Sequence, residues 1–410
     1  MSTQAYAVII GGGAAGIACA CKTAHLNPQK KIVLLEKADR VGRKIMISGN
    51  GRCNLTNTSA TEKSYHGEGA QELVNILFKK YNPQYVLDWF HSFGLLPVEE
   101  NDGRVYPRSN HASSVLDVLR AELARQRVEV RCNVEVMDVK PTRTGYQITL
   151  GDETLVTQKL VIASGGKADY AYRESGSQDL FKMLGLRTNH SAPSLSPVNV
   201  KSPVIKMLKG VRANAKVTLY QKGEKIKEET GEVQFTENTL SGICVFNLSR
   251  TPNQRRGCEI GISLLPEMSK EEISNLLRER IKAAKSDETQ KIFVGMFHKN
   301  IGIALLKTAK ISPSAPASSL TEEDIAMLTD TVYDWRFETI PKFDMKNAQV
   351  TAGGVKVSDI IAEDFEHIAH EGLYIIGEAL DVDGDCGGYN LQFAFASALC
   401  AAENLNTEVL

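Results

Sequence analysis

The sequence predicts an α/β fold of the Rossmann type, interrupted by a long insertion. Three observations carry this. A glycine-rich turn joins a short apolar strand to a helix within the first 26 residues. Strand and glycine signals of the same kind return at Gly372 to Asn390. Between them lies a stretch of different texture, rich in strands and turns and then helical.

Tyr6 to Ile10 is an apolar, β-branched run and reads as a buried strand. The turn Gly11-Gly12-Gly13-Ala14-Ala15-Gly16 follows, then a helix from Ile17 to Leu26 that stops near Asn27-Pro28. Ile32 to Leu35 is a second strand, and Glu36 stands at its tip, twenty residues after Gly16. Gly11, Gly13 and Gly16 fill a G-x-G-x-x-G pattern in a β-turn-α-β unit. Such a unit binds dinucleotides: one glycine makes the turn, one admits a pyrophosphate and one lets the helix pack closely. The helix N-terminus faces the phosphates, and Glu36 can accept hydrogen bonds from ribose hydroxyls. A turn built only for packing would leave Glu36 unexplained.

Further along, the spacing predicts helices over Gln71 to Phe90 and Ala112 to Gln126. Strands are expected over Val128 to Val139, Tyr146 to Leu150 and Leu160 to Ala163, the last ending in Ser164-Gly165-Gly166. In the middle, Lys216 to Tyr220, Gly231 to Phe235, Ile243 to Leu248 and Glu259 to Leu264 read as strands of a small β domain. Helices follow from Ser269, with capping-box spacings at Ser269/Glu272 and Thr321/Asp324. A strand over Gly372 to Ile376 and a helix from Leu391 to Asn404 complete the pattern. The expected division is a discontinuous domain over 1–195 and 336–410, a β domain over 196–268 and a helical domain over 269–335.

Composition bounds the function. The 410 residues carry 48 Lys and Arg against 49 Asp and Glu, a net charge of −1, which argues against a general nucleic-acid binder. No apolar run reaches the roughly 18 residues of a membrane span. The apolar stretch Ala5 to Ile10 is too short for a secretory signal. Eight scattered cysteines with no C-x-x-C pair read as reduced thiols of a cytoplasmic protein.

Several longer motifs point to one family: GGGAAG at Gly11 to Gly16, GRKIMISGNGRCNLTN at Gly42 to Asn57, GRVYPRSNHASSVL at Gly103 to Leu116, VIASGG at Val161 to Gly166, AQVTAGGV at Ala348 to Val355, and GLYIIGEALDVDGDCGGYNLQFAFASA at Gly372 to Ala398. From end to end the chain resembles the YhiN-like (BaiN-like) bacterial NAD(P)/FAD-dependent oxidoreductases. The resemblance implies a three-layer FAD domain interrupted by a small β-barrel and a helical domain. It implies FAD as the held cofactor, with NADH or NADPH as a transient donor. The FAD contacts it implies are Gly11, Gly13, Ala14, Ala15, Gly16, Glu36, Lys37, Arg43, Lys44, Arg52 and Asn54. Val136 would meet the adenine through its backbone from a core strand. Ser164, Gly165, Gly377 and Asp383 lie at two further strand ends. Asn390 and Leu391 could offer N–H groups to the flavin, where the dipole of the last helix would stabilise negative charge. Arg43-Lys44 could equally be a solvated pair, and Arg52 and Asn54 loop hydrogen-bonders.

The chain departs from the family at three places, one being the absence of the T-M-E-S-K segment before the last strand. The usual G-S-x-G-x-G-Y run is replaced at Lys167 to Gln178, and the His and Pro of F-T-H-x-G-x-S-G-P are absent from Phe235 to Ile243. These leave the cofactor expectation intact and the substrate open. The expected activity is hydride transfer at the flavin, in the first instance NAD(P)H-driven reduction of an activated C=C bond in a small molecule. The alternatives are an amine oxidase using oxygen, and a non-catalytic sensor or RNA-associated flavoprotein. Cys53 and Cys386 could form a redox pair or pack as small apolar groups. His367 and His370 could hold a metal or lie in a solvated segment. Tyr106 to Ser109 could line a pocket or cap the following helix.

Overall fold

A computed structural model describes residues 2–168, 177–341 and 345–405. The chain divides into two compact units, Met1–Ser191 with Val350–Leu410, and Ala192–Gln349.

The first unit is built on a mixed sheet. Five of its strands run parallel, in the spatial order Glu129–Arg131, Ile32–Leu35, Ser2–Ile10, Glu153–Ile162 and His370–Ile375. Strands from residues 2–162 and from 370–375 thus share one sheet, as a discontinuous Rossmann fold requires. The central strands are buried on both faces, which is why they read as unbroken apolar runs. Each fully buried Ile, Leu or Val there contributes about 1.5–3 kcal/mol of burial free energy. The hairpin Asp138–Thr142 and Gly145–Leu150 extends the strand Glu153–Ile162.

The helix Ala14–Leu26 is buried along most of its length and packs on the helix Tyr389–Asn404. Both are alanine-rich on their buried positions, so the two backbones can approach closely.

The second unit contains a closed barrel of six strands: Val198–Lys201, Thr239–Ser241, Glu224–Phe235, Arg212–Gln221, Cys258–Ser263 and Trp335–Thr339. The helices Lys270–Ala284, Lys299–Thr308 and Glu322–Tyr333 lie between the last two of these in sequence. Phe235, Trp335 and Phe337 fill a hydrophobic core to which those helices contribute Ile273, Leu277, Leu305 and Leu328. Both expected capping boxes are present, Ser269 with Glu272 and Thr321 with Asp324.

Two element assignments change. The helix expected over Gln71 to Phe90 is two helices, Ala70–Phe78 and Pro83–His91. Pro83 lacks an N–H and starts a helix rather than continuing one, and the Asn82 side chain caps it by accepting from the Tyr85 N–H at 3.1 Å. Ile243 to Leu248, expected as a strand, opens as the short helix Ile243–Phe246 with Cys244 and Val245 buried.

Candidate functional site

The first unit gathers the strand ends that the sequence singled out. Gly11 continues the strand Ser2–Ile10, its N–H donating to the Leu35 carbonyl at 2.8 Å. It has φ 110°, and a Cβ there would lie 2.4 Å from the Ala163 carbonyl oxygen. At Gly16 a Cβ would lie 1.8 Å from the Gly11 oxygen. These two glycines are explained by protein packing alone. Gly13 is not: its φ is an ordinary −81°, and a Cβ there would meet no atom of the described residues within 4 Å. It caps the start of the helix Ala14–Leu26, whose first N–H groups have no intrahelical acceptors.

Glu36 is half-buried at the end of its strand. Its carboxylate accepts from the Gly12 N–H at 2.8 Å and from the Ala38 N–H at 2.7 Å. Those bonds aim the side chain and leave lone pairs for further donors.

The other expected contacts fall into groups. Lys37 pairs with Glu135 at 2.8 Å and Arg43 with Asp39 at 3.3 Å, both near the surface. Lys44 reaches the Glu378 carboxylate at 2.9 Å. Arg52 stacks on the Tyr106 ring, 3.8 Å from its centroid, and is held by Glu100 and Asn110. Asn54 is buried. Asn54 Oδ1 and Ser164 Oγ are sealed from solvent with no hydrogen-bond partner among the described residues. Gly165 has φ 70° beside Ser164, and the Gly377 N–H donates to Ser397 Oγ at 3.0 Å.

Val136 is a correction. The chain is a strand over Glu129–Arg131 and again over Asp138–Thr142, and Val136 lies in the partly buried link between them. That link is tied to the second strand end instead, the Val134 N–H donating to the Glu36 carbonyl at 3.0 Å and the Asn133 N–H to the Ala38 carbonyl at 2.8 Å.

The start of the helix Tyr389–Asn404 is a rigid platform. Asp383 is buried in a two-residue strand, Asp383–Gly384, paired with Tyr65–His66. The Asn390 amide brackets Gly384, accepting from its N–H at 2.8 Å and donating to its carbonyl at 2.9 Å. Gly388, with φ 102°, precedes the helix, and a Cβ there would lie 2.4 Å from the Thr56 carbonyl oxygen. Leu391 packs against the core from a partly buried position.

Sequence reasoning missed three contributors. Thr56 Oγ1 donates to Gln392 Oε1 at 2.6 Å, and Asn57 Nδ2 donates to the Gly387 carbonyl at 3.0 Å. The GRCNLTN and GGYNLQ stretches therefore touch each other. Glu378 is the third: besides Lys44 it accepts from the Thr351 N–H at 2.8 Å. A lone Glu after a glycine carries little signal until its partner lysine, 334 residues away, is placed beside it.

Cys53 is fully buried, and burial pushes its thiol up to about 12; burial also raises Cys386. Neither behaves as a ready thiolate. Tyr106 lies within a strand, Arg104–Pro107, and the helix after it begins behind His111 without a side-chain cap. Asp169 to Gly176, most of the segment that departs from the family pattern, lies outside the described residues.

FAD fits this cradle. The room over Gly13 and the two sealed, unpartnered oxygens at Asn54 and Ser164 are what a bound dinucleotide would fill and satisfy. The parallel sheet, glycine turn and acid at the second strand end define a Rossmann-type flavoprotein of the oxidoreductase class.

The chain belongs to the HI0933-like protein Rossmann domain family, which it matches over residues 5–404. It is 34% identical over 402 residues to the 3-dehydro-bile acid delta(4,6)-reductase of Clostridium scindens, covering 96% of this chain and 97% of that one. It is 28% identical to the ribosomal RNA dihydrouridine synthase of Escherichia coli, over 97% of both chains, and 25% identical to that of Haemophilus influenzae over the full length of both. Among solved structures, the 3-ketosteroid-delta4-(5alpha)-dehydrogenase of Rhodococcus jostii shares the fold, with TM-score 0.51 at 15% identity, covering 99% of this chain and 97% of that one. No helix among the described residues is long and apolar enough to cross a membrane.

Proposed function

We propose that the protein is an FAD-dependent reductase of a C=C bond conjugated to a carbonyl, with NADH or NADPH as the electron donor. The observation that carries the cofactor is the combination at Gly13 and Glu36: unfilled space at a helix N-terminus, beside a carboxylate held by two backbone N–H groups. Bound there, the flavin supplies hydride transfer. The chain supplies the rest. The Gly13 backbone and the following helix N-terminus would hold phosphate, Glu36 would orient ribose, and the N-terminus of the helix after Gly388 would stabilise the negative charge of the reduced ring.

The type of acceptor is supported by two kinds of relative. A bile acid delta(4,6)-reductase saturates ring double bonds, and making dihydrouridine saturates the double bond of a uracil ring. Both bonds are conjugated to a carbonyl, so one chemistry serves both. The higher identity to the reductase favours a small-molecule substrate, handled in the cytoplasm. A uridine in ribosomal RNA is the second reading, favoured by the two synthases that match over nearly the whole chain.

The test is anaerobic mixing. NADH or NADPH should bleach the flavin, and a 3-oxo-4-ene bile acid should restore its colour with one C=C reduced per flavin. Restoration only by ribosomal RNA, with dihydrouridine formed, selects the second reading. Absence of bleaching with either nucleotide, together with peroxide formed from an amine in air, would overturn both.

A further inference from the structure

Reducing a conjugated C=C bond requires two things to be added: a hydride at the carbon β to the carbonyl and a proton at the α carbon. The flavin accounts for the hydride. The proton needs a donor on the protein or from solvent.

Few side chains around the Gly388 platform can serve. The Tyr65 hydroxyl is committed to the Tyr389 carbonyl at 3.0 Å, and its ring is fully buried. Cys53 is sealed in the core. His66 is different. It lies on the strand Tyr65–His66, paired with Asp383–Gly384, and its Nε2 is 2.8 Å from Asp385 Oδ1. Its side chain is 27% exposed and that of Asp385 19%, so the pair is sheltered yet reachable. Nδ1 of His66 has no hydrogen-bond partner among the described residues. Asp385 is fixed in turn, its N–H donating to the Ser64 carbonyl at 2.9 Å, and it stands three residues before Gly388. A carboxylate on one imidazole nitrogen orients the ring and leaves the other nitrogen to transfer a proton.

We propose that His66, oriented by Asp385, is the general acid that protonates the α carbon of the substrate. This rests on the reductase reading above. A bound, reduced flavin would supply the hydride for the new C–H bond at the β carbon. The π electrons move toward the carbonyl, and the α carbon then takes the Nδ1 proton of the His66 imidazolium. The imidazole is left neutral, Asp385 stays ionised, and solvent returns the proton. The nicotinamide nucleotide supplies the two electrons.

The experiment uses the FAD-loaded enzyme reduced beforehand with dithionite, so that the nucleotide step drops out. It is mixed anaerobically with a 3-oxo-4-ene bile acid in D2O. Wild type should reoxidise in a single turnover and place deuterium on one face of the α carbon. His66→Gln should reoxidise about 10²–10⁴ times more slowly, the usual size of a general-acid contribution. It should also place deuterium on both faces, because solvent then delivers the proton without a fixed direction. Added imidazole should restore part of the rate to His66→Ala. Asp385→Asn should slow the same step and provides the check if His66 variants lose FAD. Wild-type rate and one-faced labelling in either FAD-loaded variant would overturn the dyad while leaving the reductase reading in place. Failure of the wild-type enzyme to reoxidise with the bile acid or with ribosomal RNA would instead overturn that reading, and the dyad with it.

Discussion

Replacing Gly13 separates the cofactor's needs from those of the fold. Its backbone, at φ −81° and ψ −166°, is one that any L-residue adopts, and no atom of the described residues lies within 4 Å of a Cβ built there. The apoprotein should therefore accept Gly13→Ala and Gly13→Val. The Ala variant should even gain about 0.4–1 kcal/mol by restricting the unfolded chain. FAD binding should collapse in Gly13→Val. A branched side chain over the turn denies the pyrophosphate its approach to about two backbone N–H groups. Hydrogen bonds to a charged partner are worth about 1.5–3 kcal/mol each, so two come to about 3–6 kcal/mol. At 1.4 kcal/mol per tenfold, that is a loss of about 10²–10⁴ in Kd. The assay pairs flavin absorbance per polypeptide after desalting with thermal melts in and out of excess FAD. Wild type should melt higher with FAD; Gly13→Val should melt like the wild-type apoprotein in both. Gly16→Ala is the contrast, because its Cβ would lie 1.8 Å from the Gly11 oxygen and should lower the apoprotein Tm. Full FAD content in Gly13→Val, or an apoprotein as unstable as Gly16→Ala, would refute the reasoning.

Glu36→Ala should lose FAD and also destabilise the apoprotein by about 1–3 kcal/mol, since the Gly12 and Ala38 N–H groups lose their acceptor; urea unfolding of the apoprotein measures it. Glu403 is half-buried, and burial alone would raise its carboxyl. The contacts with Lys22, Lys80, Tyr85 and Tyr81 outweigh that and hold it at about 2 against an ordinary 4.5. A depressed carboxyl stabilises the fold fully above the ordinary value, and that contribution is lost as pH falls through about 2. Glu403→Gln should therefore flatten the acid limb of stability against pH, read by circular dichroism between those values. Asn82→Ala removes the cap of the helix Pro83–His91 and should cost about 0.5–2 kcal/mol in urea unfolding, with FAD content unchanged.

How much of this was legible in the sequence depended on the range of the forces involved. Although the Ala163 strand end that crowds Gly11 is distant in sequence, the turn at Gly11 to Gly16 could be read because its glycine spacing and flanking strand and helix are local. The same holds for Ser269/Glu272 and Thr321/Asp324, where donor and acceptor sit three residues apart. Pro83 was legible in principle, since a missing N–H after an Asn marks a helix start, but the apolar spacing on both sides concealed it. Ile243 to Leu248 misled because a short apolar run fits a strand or a helix until its buried positions are known. Two pairings in the cradle were beyond local reading. Lys44 meets Glu378 and Thr56 meets Gln392 only after the sheet has brought distant segments together. Val136 was misplaced for a related reason: alternation continues through it, but the chain there turns aside to bond the Glu36 segment.

The docking of the helix Tyr389–Asn404 on the helix Ala14–Leu26 has a consequence for synthesis on the ribosome. Gly16 and Tyr389 are separated by 373 residues (389 − 16). At roughly 5–20 residues per second, the helix Ala14–Leu26 waits about 20–75 s for the helix that packs on it. All barrel strands, from Val198 to Thr339, emerge within that interval. The inserted unit can thus fold while the helix Ala14–Leu26 still lacks the helix Tyr389–Asn404 that packs on it. Cofactor capture is then a late event, and FAD supply can influence how many finished chains persist.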